Sequence, residues 1–244
     1  MTKSKDIKWL EFKADAAKFK NGPITALFTR RISIIVTYML RNTKVTPNMV
    51  TISSLIVFLA GMPFFLYGYN NYTFLVIGVV ITQFAYVLDC SDGELARYKK
   101  MTSPLGAWLD SVFDRIKEAA VFLTMTLNVY FKFQSSPDVY FKFRSSSDIA
   151  FILLIIGFIA FINVIIVGYI TDTKIHLNLK KTDNLVNIGK KYLFGYVELI
   201  VFGVAIAALF DKFEFLLLFF AIAGPVFWIM QIIMLVRKYK RQSI

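Results

Sequence analysis

Four aspartates lie close together in a sequence that is otherwise mostly apolar. Asp89, Asp92, Asp110 and Asp114 all fall within the segment LDCSDGELARYKKMTSPLGAWLDSVFDR. Carboxylates are costly in a membrane protein, so their presence there indicates a functional site. Like charges this close repel one another unless a cation neutralises them. Oxygen ligands favour a hard divalent cation, so the segment predicts a site for Mg²⁺ or Mn²⁺.

Helical spacing predicts how the aspartates are arranged. Gly106, Asp110 and Asp114 follow one another at intervals of four, which places them on one stripe of a helix. Asp89 and Asp92 are three residues apart on the preceding helix. A short connection makes the two helices antiparallel neighbours, so the stripes can face each other. Paired metal ions about 4 Å apart would suit a displacement at phosphorus.

The composition predicts the elements that position these residues. Of the 244 residues, 57% are hydrophobic and 18% are charged, which is typical of a polytopic membrane protein. Six apolar stretches are long enough to cross a bilayer, at about Asn48–Tyr69, Tyr72–Leu88, Gly106–Tyr130, Ile149–Ile170, Tyr192–Phe210 and Phe213–Val236. We therefore predict an all-α membrane protein with six transmembrane helices. The aspartates then lie at the end of the second helix and the start of the third.

The N-terminal segment predicts a further helix, from about Ile24 to Leu40. Its apolar residues recur at helical spacing and are interspersed with arginines, so it can lie in the membrane interface on anionic headgroups. An ordinary amphipathic helix packed on the protein fits the same pattern. We expect no cleaved signal peptide, because the first residues contain no early apolar run. The predicted units are an N-terminal segment at 1–45 with this juxtamembrane helix, a six-helix catalytic domain at 46–236 and a basic tail at 237–244.

The net charge of +12 is unevenly distributed along the chain. Lysines and arginines are concentrated in the N-terminal segment, in the loops at 96–100 and 173–191, and in the C-terminal tail. By the positive-inside rule, both termini and the aspartate loop face the cytoplasm. Because the basic residues flank membrane spans, contact with lipid headgroups explains them better than nucleic-acid binding.

A tandem duplication separates the third and fourth predicted spans. VYFKFQSSPD at 129–138 is followed directly by VYFKFRSSSD at 139–148. The unit is too short for a repeat architecture. Its alternating aromatic and polar residues predict a β-hairpin or an interfacial ribbon outside the membrane, in a loop without a catalytic role.

The residues around the aspartates resemble a known family signature. The pattern D-G-x-x-A-R, eight residues, then G-x-x-x-D-x-x-x-D matches the CDP-alcohol phosphotransferase (CDP-alcohol phosphatidyltransferase) family at every fixed position. These positions are Asp92, Gly93, Ala96, Arg97, Gly106, Asp110 and Asp114, with Asp89 as an additional upstream aspartate. The resemblance extends to a Pro-Asn-x-Val-Thr start of the first span at 47–51 and covers the chain from about Ile24 to the C-terminus.

The resemblance implies an enzyme of phospholipid biosynthesis. Such an enzyme transfers a phosphatidyl or other phospho-alcohol group from a CDP-linked donor, here expected to be a CDP-diacylglycerol-type lipid, to an acceptor hydroxyl and releases CMP. Two Mg²⁺ or Mn²⁺ ions would be held by Asp89, Asp92, Asp110 and Asp114, with Asp110 shared between them. Asp114 would also be the general base. The resemblance further implies a homodimer.

The resemblance also implies which residues bind the donor. The expected contacts to the CDP group are Gly93, Ala96, Arg97 and Gly106, together with Asn48 and Thr51 at the start of the first span. Arg97 alone is also a plausible positive-inside anchor, and as a phosphate ligand it would use its guanidinium group.

The acceptor alcohol is less well defined by the sequence. The segments DGELAR and GAWLDS resemble those of the branch of the family that uses inositol phosphate. We therefore expect the acceptor to be a phosphorylated polyol such as inositol phosphate or glycerol phosphate. Candidate ligands for its phosphate are Lys174, Lys180, Lys181, Lys190 and Lys191. Positive-inside topology explains the same lysines. The segment at 189–193 lacks the arginine-rich pattern of inositol-phosphate enzymes.

Two other functions fit parts of the pattern. A divalent-cation transporter could line a permeation path with the aspartates, but such transporters tend to have broken helices near the midplane and internal symmetry. The carboxylates here cluster at one edge. A non-catalytic scaffold is the third possibility, and the presence of all four aspartates and both glycines argues against it.

Overall fold

The computed structural model describes residues 29–135, 146–176, 187–188, 191–192 and 196–242. This part of the chain forms seven helices, which are α1 (Arg30–Leu40), α2 (Pro47–Tyr67), α3 (Tyr72–Lys99), α4 (Pro104–Ser135), α5 (Ser146–His176), α6 (Tyr196–Leu209) and α7 (Phe213–Gln242). A two-residue antiparallel pair, β1 (Asn187–Ile188) with β2 (Lys191–Tyr192), lies between α5 and α6 in the sequence. The helical architecture predicted from the sequence is therefore confirmed for these residues.

Four of the helices are long and apolar enough to cross a membrane. Within the described ranges they are Pro47–Tyr67, Tyr72–Lys99, Asp148–Ile170 and Phe213–Arg237. The apolar part of α6, Leu199–Leu209, is shorter than a span. Helix α4 has the length of a span but carries the charged residues of the aspartate segment in its first half. The two further spans expected from the sequence are thus helical, and their crossing of the membrane stays a prediction.

The ends of α2, α3 and α4 bring the aspartate segment to one end of the bundle. Thr46 caps α2 by accepting a hydrogen bond from the Met49 amide, and Pro47 occupies the first turn. Helix α3 runs beyond the expected end of its span, through Lys99, and stops where Lys100 adopts a left-handed conformation with φ 56°. Since α4 begins at Pro104, the connection between the two helices is short, and both helices pack on α2.

Helix α1 is attached to α3 by buried polar groups. The carboxylate of Glu94 is fully buried and accepts hydrogen bonds from Ser33 Oγ at 2.8 Å and Thr37 Oγ1 at 2.9 Å. Arg30 Nη1 lies 3.3 Å from the same carboxylate. Glu94 is part of the D-G-x-x-A-R segment, so α1 fixes the last turns of α3.

Several apolar residues of α1 are exposed, whereas two of its polar residues face the protein. Ile32, Ile35 and Met39 are 49%, 54% and 69% exposed, whereas Ser33 and Thr37 are fully buried. An amphipathic helix packed on the protein in the ordinary way would show the opposite arrangement. The helix begins at Arg30, and the preceding residues of the predicted helix, from Ile24 to Phe28, lie outside the described residues.

The prediction of a hairpin or ribbon in the first copy of the duplication is wrong. Helix α4 continues through Ser135, so residues 129–135 are helical, and α5 starts at Ser146 within the second copy. The reason is long-range contact: Val129 is fully buried, and Lys132 Nζ lies 2.8 Å from Asp211 Oδ2 in the turn between α6 and α7. Residues 136–145 lie outside the described part of the chain.

A polar contact inside the bundle compensates for a proline. Pro225 lies within α7 and cannot donate a hydrogen bond to the carbonyl of Ala221. Asn163 of α5 donates from Nδ2 to this oxygen at 3.3 Å and to that of Phe220 at 3.2 Å. A Cβ at Gly224 would lie 2.5 Å from the Cβ of Asn163, so the glycine permits the close approach of α5 and α7.

The attachment of α1 generates a first prediction. Replacing Glu94 by Ala is expected to lower the free energy of unfolding by about 3 kcal/mol, because it removes one partner of a buried ion pair and the acceptor of two buried hydroxyls. Unfolding of the purified protein in detergent would measure this. Lys212→Met is the control: its side chain is 56% exposed and lies 3.7 Å from Glu214, so a change of no more than about 1 kcal/mol is expected. Equal stability of the two variants would contradict the role assigned to Glu94.

Candidate active site

The structure brings three of the four aspartates together. Asp89 and Asp92 extend from the end of α3, and Asp110 extends from the start of α4. One oxygen from each of these carboxylates lies within 4.8 Å of the other two. The aspartates of the two helices thus face one another, as the helical spacing predicts, although both helices pack on α2 rather than closely on each other.

The fourth aspartate, Asp114, is held by a lysine. Lys117 Nζ lies 3.6 Å from Asp114 Oδ1 and also donates a hydrogen bond to Asp89 Oδ1. The lysine side chain is only 11% exposed. The site therefore contains a cation supplied by the protein itself. The sequence analysis missed Lys117, although its position three residues after Asp114 places it on the same stripe of α4.

The carboxylate set fits a divalent cation. Asp92 is 7% exposed, and its Oδ2 is buried without a hydrogen-bond partner. A buried carboxylate oxygen in this state is unfavourable unless a cation contacts it. The donors are all carboxylate oxygens, which suit Mg²⁺ or Mn²⁺ rather than a soft metal. Ser54 of α2 donates to Asp89 Oδ1 at 3.4 Å and helps to fix the position of that carboxylate.

A cleft that we call the outer cleft opens beside the aspartates. Its cavity volume is about 200 Å³, or about 590 Å³ when the open solvent at its mouth is included. Asp92 and Asp110 lie in its wall. The remaining lining residues include every residue that the sequence analysis assigned to the CDP group: Asn48, Thr51, Gly93, Ala96, Arg97 and Gly106.

Two glycines in the wall of the outer cleft lie directly beside polar side chains. A Cβ on Gly106 would lie 3.2 Å from both Asn48 Oδ1 and Ser103 Oγ. A Cβ on Gly93 would lie 3.4 Å from Arg97 Nη1. The two glycines therefore leave room for Asn48, Ser103 and the Arg97 guanidinium in the wall of the cleft.

A second space, the inner cavity, lies on the other side of the aspartates. Its cavity volume is about 60 Å³, or about 630 Å³ when the adjoining open solvent is included, and its apolar wall is formed by Phe58, Ala85, Val121, Ile200, Val201 and Val204. Its polar lining comprises Thr82, Gln83, Tyr86, Asp89, Asp114, Lys117 and Glu118. The aspartates thus separate two spaces: Asp92 and Asp110 line the outer cleft, whereas Asp89 and Asp114 line the inner cavity.

Further charged residues connect the site to α5. Arg115 pairs with Glu118 on α4, and the Glu118 residue is 6% exposed. A Cβ on Gly168 of α5 would lie 1.2 Å from Arg115 Nη1, so the guanidinium packs directly on the backbone there. The sequence analysis did not identify these contacts, because they depend on how α4 and α5 pack.

The structure does not describe the side chains of the lysines expected to bind the acceptor. Lys180, Lys181 and Lys190 lie outside the described residues. Lys174 and Lys191 lie in α5 and β2, where the structure describes the backbone. Their role stays a prediction.

The sequence matches curated proteins over part of its length. It is 33% identical over 109 residues to the bifunctional IPC transferase and DIPP synthase of Aquifex aeolicus, a match that covers 45% of this chain and 24% of that protein. It is 30% identical over 102 residues to the archaetidylinositol phosphate synthase of Aeropyrum pernix, covering 42% of this chain and 50% of that protein. The matched region is thus no more than half the length of these two relatives.

The fold is similar to crystal structures of the phosphatidylinositol phosphate synthase of Mycobacterium tuberculosis. The structure with CDP-DAG bound has a TM-score of 0.58 and 20% sequence identity, over 83% of this chain and 92% of that one. The structure in complex with manganese and citrate has the same TM-score, over 82% and 87%. At this identity the likeness concerns the fold alone.

The family model for CDP-alcohol phosphatidyltransferases matches residues 44–238. This range includes α2 to α6 and most of α7, and it contains all four aspartates and the outer cleft. The chain therefore belongs to the CDP-alcohol phosphatidyltransferase family.

Proposed function

We propose that this protein transfers a phosphatidyl or other phospho-alcohol group from a CDP-linked donor to an acceptor hydroxyl and releases CMP, as a step of phospholipid biosynthesis. The donor is a CDP-diacylglycerol-type lipid. The observation that carries the proposal is the convergence of three carboxylates beside a cleft lined by all six expected CDP contacts. Family membership supports it, as does the CDP-DAG bound to the Mycobacterium tuberculosis protein of similar fold.

The four aspartates hold the metal ions in this proposal. Asp89, Asp92, Asp110 and Asp114 would hold two Mg²⁺ or Mn²⁺ ions. When bound, such ions neutralise the pyrophosphate of the donor and stabilise the charge that develops during displacement at phosphorus. The buried and unpartnered Oδ2 of Asp92 supports this assignment.

The outer cleft binds the CDP group of the donor. The bare backbone at Gly93, Ala96 and Gly106 allows the nucleotide to lie against α3 and α4. Arg97 contacts a phosphate through its guanidinium, and Asn48 and Thr51 contact the nucleotide from the start of α2.

Asp114 is the general base. It accepts the proton of the acceptor hydroxyl, whose oxygen forms a bond to the phosphorus distal to cytidine. The bond from this phosphorus to the bridging oxygen breaks, and CMP leaves with the electron pair. Asp114 lines the inner cavity, so the acceptor hydroxyl would approach from that side.

The acceptor is a phosphorylated polyol, such as inositol phosphate or glycerol phosphate. The names of the relatives support the inositol-phosphate branch, since one is an archaetidylinositol phosphate synthase. Lysines 174, 180, 181, 190 and 191 bind the acceptor phosphate in this proposal.

The proposed topology has six membrane spans, with the active site and both termini in the cytoplasm. Residues 46–236 form the catalytic domain, between the N-terminal segment at 1–45 and the basic tail at 237–244. The outward apolar residues of α1 support a helix that lies in the membrane interface. Two copies form a homodimer. Family membership does not support the divalent-cation transporter.

The proposed reaction can be tested by measuring CMP release. Purified protein in lipid with Mn²⁺ or Mg²⁺ is expected to release CMP from CDP-diacylglycerol in the presence of inositol phosphate or glycerol phosphate, and serine and unphosphorylated inositol serve as comparison acceptors. Chelation of the metal should abolish release, because the carboxylates alone cannot neutralise the pyrophosphate. Absence of CMP with every donor and acceptor in the panel would refute the proposal.

A variant of Asp114 tests the general base. Asp114→Asn is expected to reduce turnover by about 10²- to 10⁴-fold, the usual contribution of a positioned base. Binding of the first Mn²⁺, where Asp89, Asp92 and Asp110 converge, and of the donor should be largely retained. Asp92→Asn is the matched comparison, since loss of its buried oxygen should weaken Mn²⁺ binding itself. Full activity of Asp114→Asn would show that another group accepts the proton.

A glycine variant tests whether the outer cleft binds the donor. Gly106→Ala is expected to raise the KM for the CDP-linked donor by about tenfold with a smaller effect on kcat, because the added methyl group crowds Asn48 and Ser103 in the cleft. Gly203→Ala is the control, since its Cβ would also lie 3.2 Å from its nearest neighbour, the Leu216 side chain, away from the cleft. Equal donor KM values for the two variants would place the donor elsewhere.

A further inference from the structure

Lys117 lies among the aspartates of the site but has no role in the reaction proposed above. Its ammonium group lies between Asp89 and Asp114, donates a hydrogen bond to the first and lies 3.6 Å from the second. The lysine side chain is largely buried, and its two partners are 17% and 30% exposed. The ammonium therefore partly neutralises the two carboxylates that line the inner cavity, whereas Asp92 retains an oxygen without a partner.

Electrostatic repulsion prevents the Lys117 ammonium from keeping this position when two divalent ions are bound to the aspartates. Two carboxylates so close together need a positive charge near them, and the ammonium supplies it. A divalent cation bound by Asp89 and Asp114 would occupy the space beside the ammonium and repel it. In a partly buried site this repulsion is weakly screened by salt. Lys117 and a cation on this pair of carboxylates cannot both keep these contacts.

We propose that Lys117 is a resident cation of the site, which competes with one of the two divalent ions for Asp89 and Asp114. The first ion binds where Asp89, Asp92 and Asp110 converge. The second binds only when the ammonium leaves Asp114. This inference rests on the metal site of the proposed function and adds a step that controls its loading.

The inner cavity is the place to which the ammonium can move. Lys117 already lines this cavity, and it is the only cation in the described lining. Ile200, Val201 and Val204 form an apolar part of the lining, and the Glu118 carboxylate in the lining is already paired with Arg115. An anionic group bound in the cavity would stabilise it, and a phosphorylated acceptor carries such a group. Binding of the second ion and of an anionic acceptor would then favour each other, since coupling between two sites is reciprocal.

The test measures Mn²⁺ binding alone, without donor or acceptor. Purified wild-type protein and Lys117→Met would be titrated with Mn²⁺ and the free ion followed by electron paramagnetic resonance. Lys117→Met is expected to bind the weaker ion on the order of tenfold more tightly, a typical coupling between neighbouring sites. Lys117→Arg keeps the charge and should resemble the wild type. Where the Met variant does not accumulate, Lys117→Gln retains a hydrogen-bond donor without the charge and should show the same tightening.

A second lysine of the same helix provides the control. Lys132 lies near the other end of α4, where it pairs with Asp211, so Lys132→Met removes the same charge from a partly buried ion pair. No change in Mn²⁺ affinity is expected. A merely structural role of Lys117 would leave Mn²⁺ affinity unchanged or weaken it in Lys117→Met and Lys117→Gln, and either result overturns the inference. Failure of the wild type to bind Mn²⁺ would instead overturn the metal site of the proposed function.

Discussion

Four carboxylates at the ends of apolar helices must be neutralised, and this electrostatic requirement determines what surrounds them. Low-dielectric surroundings strengthen the repulsion between like charges and the attraction of cations. The protein answers with groups from several elements: Lys117 from α4 contacts Asp89 and Asp114, and Ser54 from α2 donates to Asp89. An oxygen of Asp92 is left buried without a partner. The protein's own groups thus compensate part of the negative charge of the four aspartates. A divalent cation would compensate the charge that is left.

Compensation of this kind requires that the helices hold their positions. The left-handed Lys100 and the start of α4 at Pro104 turn the chain sharply, so the stripes of α3 and α4 face each other. On the other side of α3, Glu94 is fully buried against α1 and so fixes the turns that carry Asp92. The same short segment therefore contains the residues of the site and the residue that anchors it. This explains why a charged side chain between apolar elements is compatible with a stable fold.

Helical periodicity was enough to predict the local part of this site. The facing stripes and the residues of the outer cleft depend on spacing within two adjacent helices, which the sequence encodes directly. The inner cavity depends on the packing of α6 on α3, two helices that are far apart in the sequence. Gln83 of α3, for example, donates a hydrogen bond to the carbonyl of Val201, more than a hundred residues later. Residues 129–135 were mispredicted for a similar reason, because the pair of Lys132 with Asp211 outweighs the local alternation. In both cases tertiary contacts determine the structure, and the local sequence pattern does not contain them.

The division of the aspartates between two spaces bears on the direction of the proposed reaction. A displacement at phosphorus places the entering and leaving oxygens roughly in line on opposite sides. With CDP in the outer cleft, the leaving oxygen faces Asp92 and Asp110, and the acceptor must then come from the other side. Asp114, the proposed base, lines the inner cavity on that side, next to Lys117.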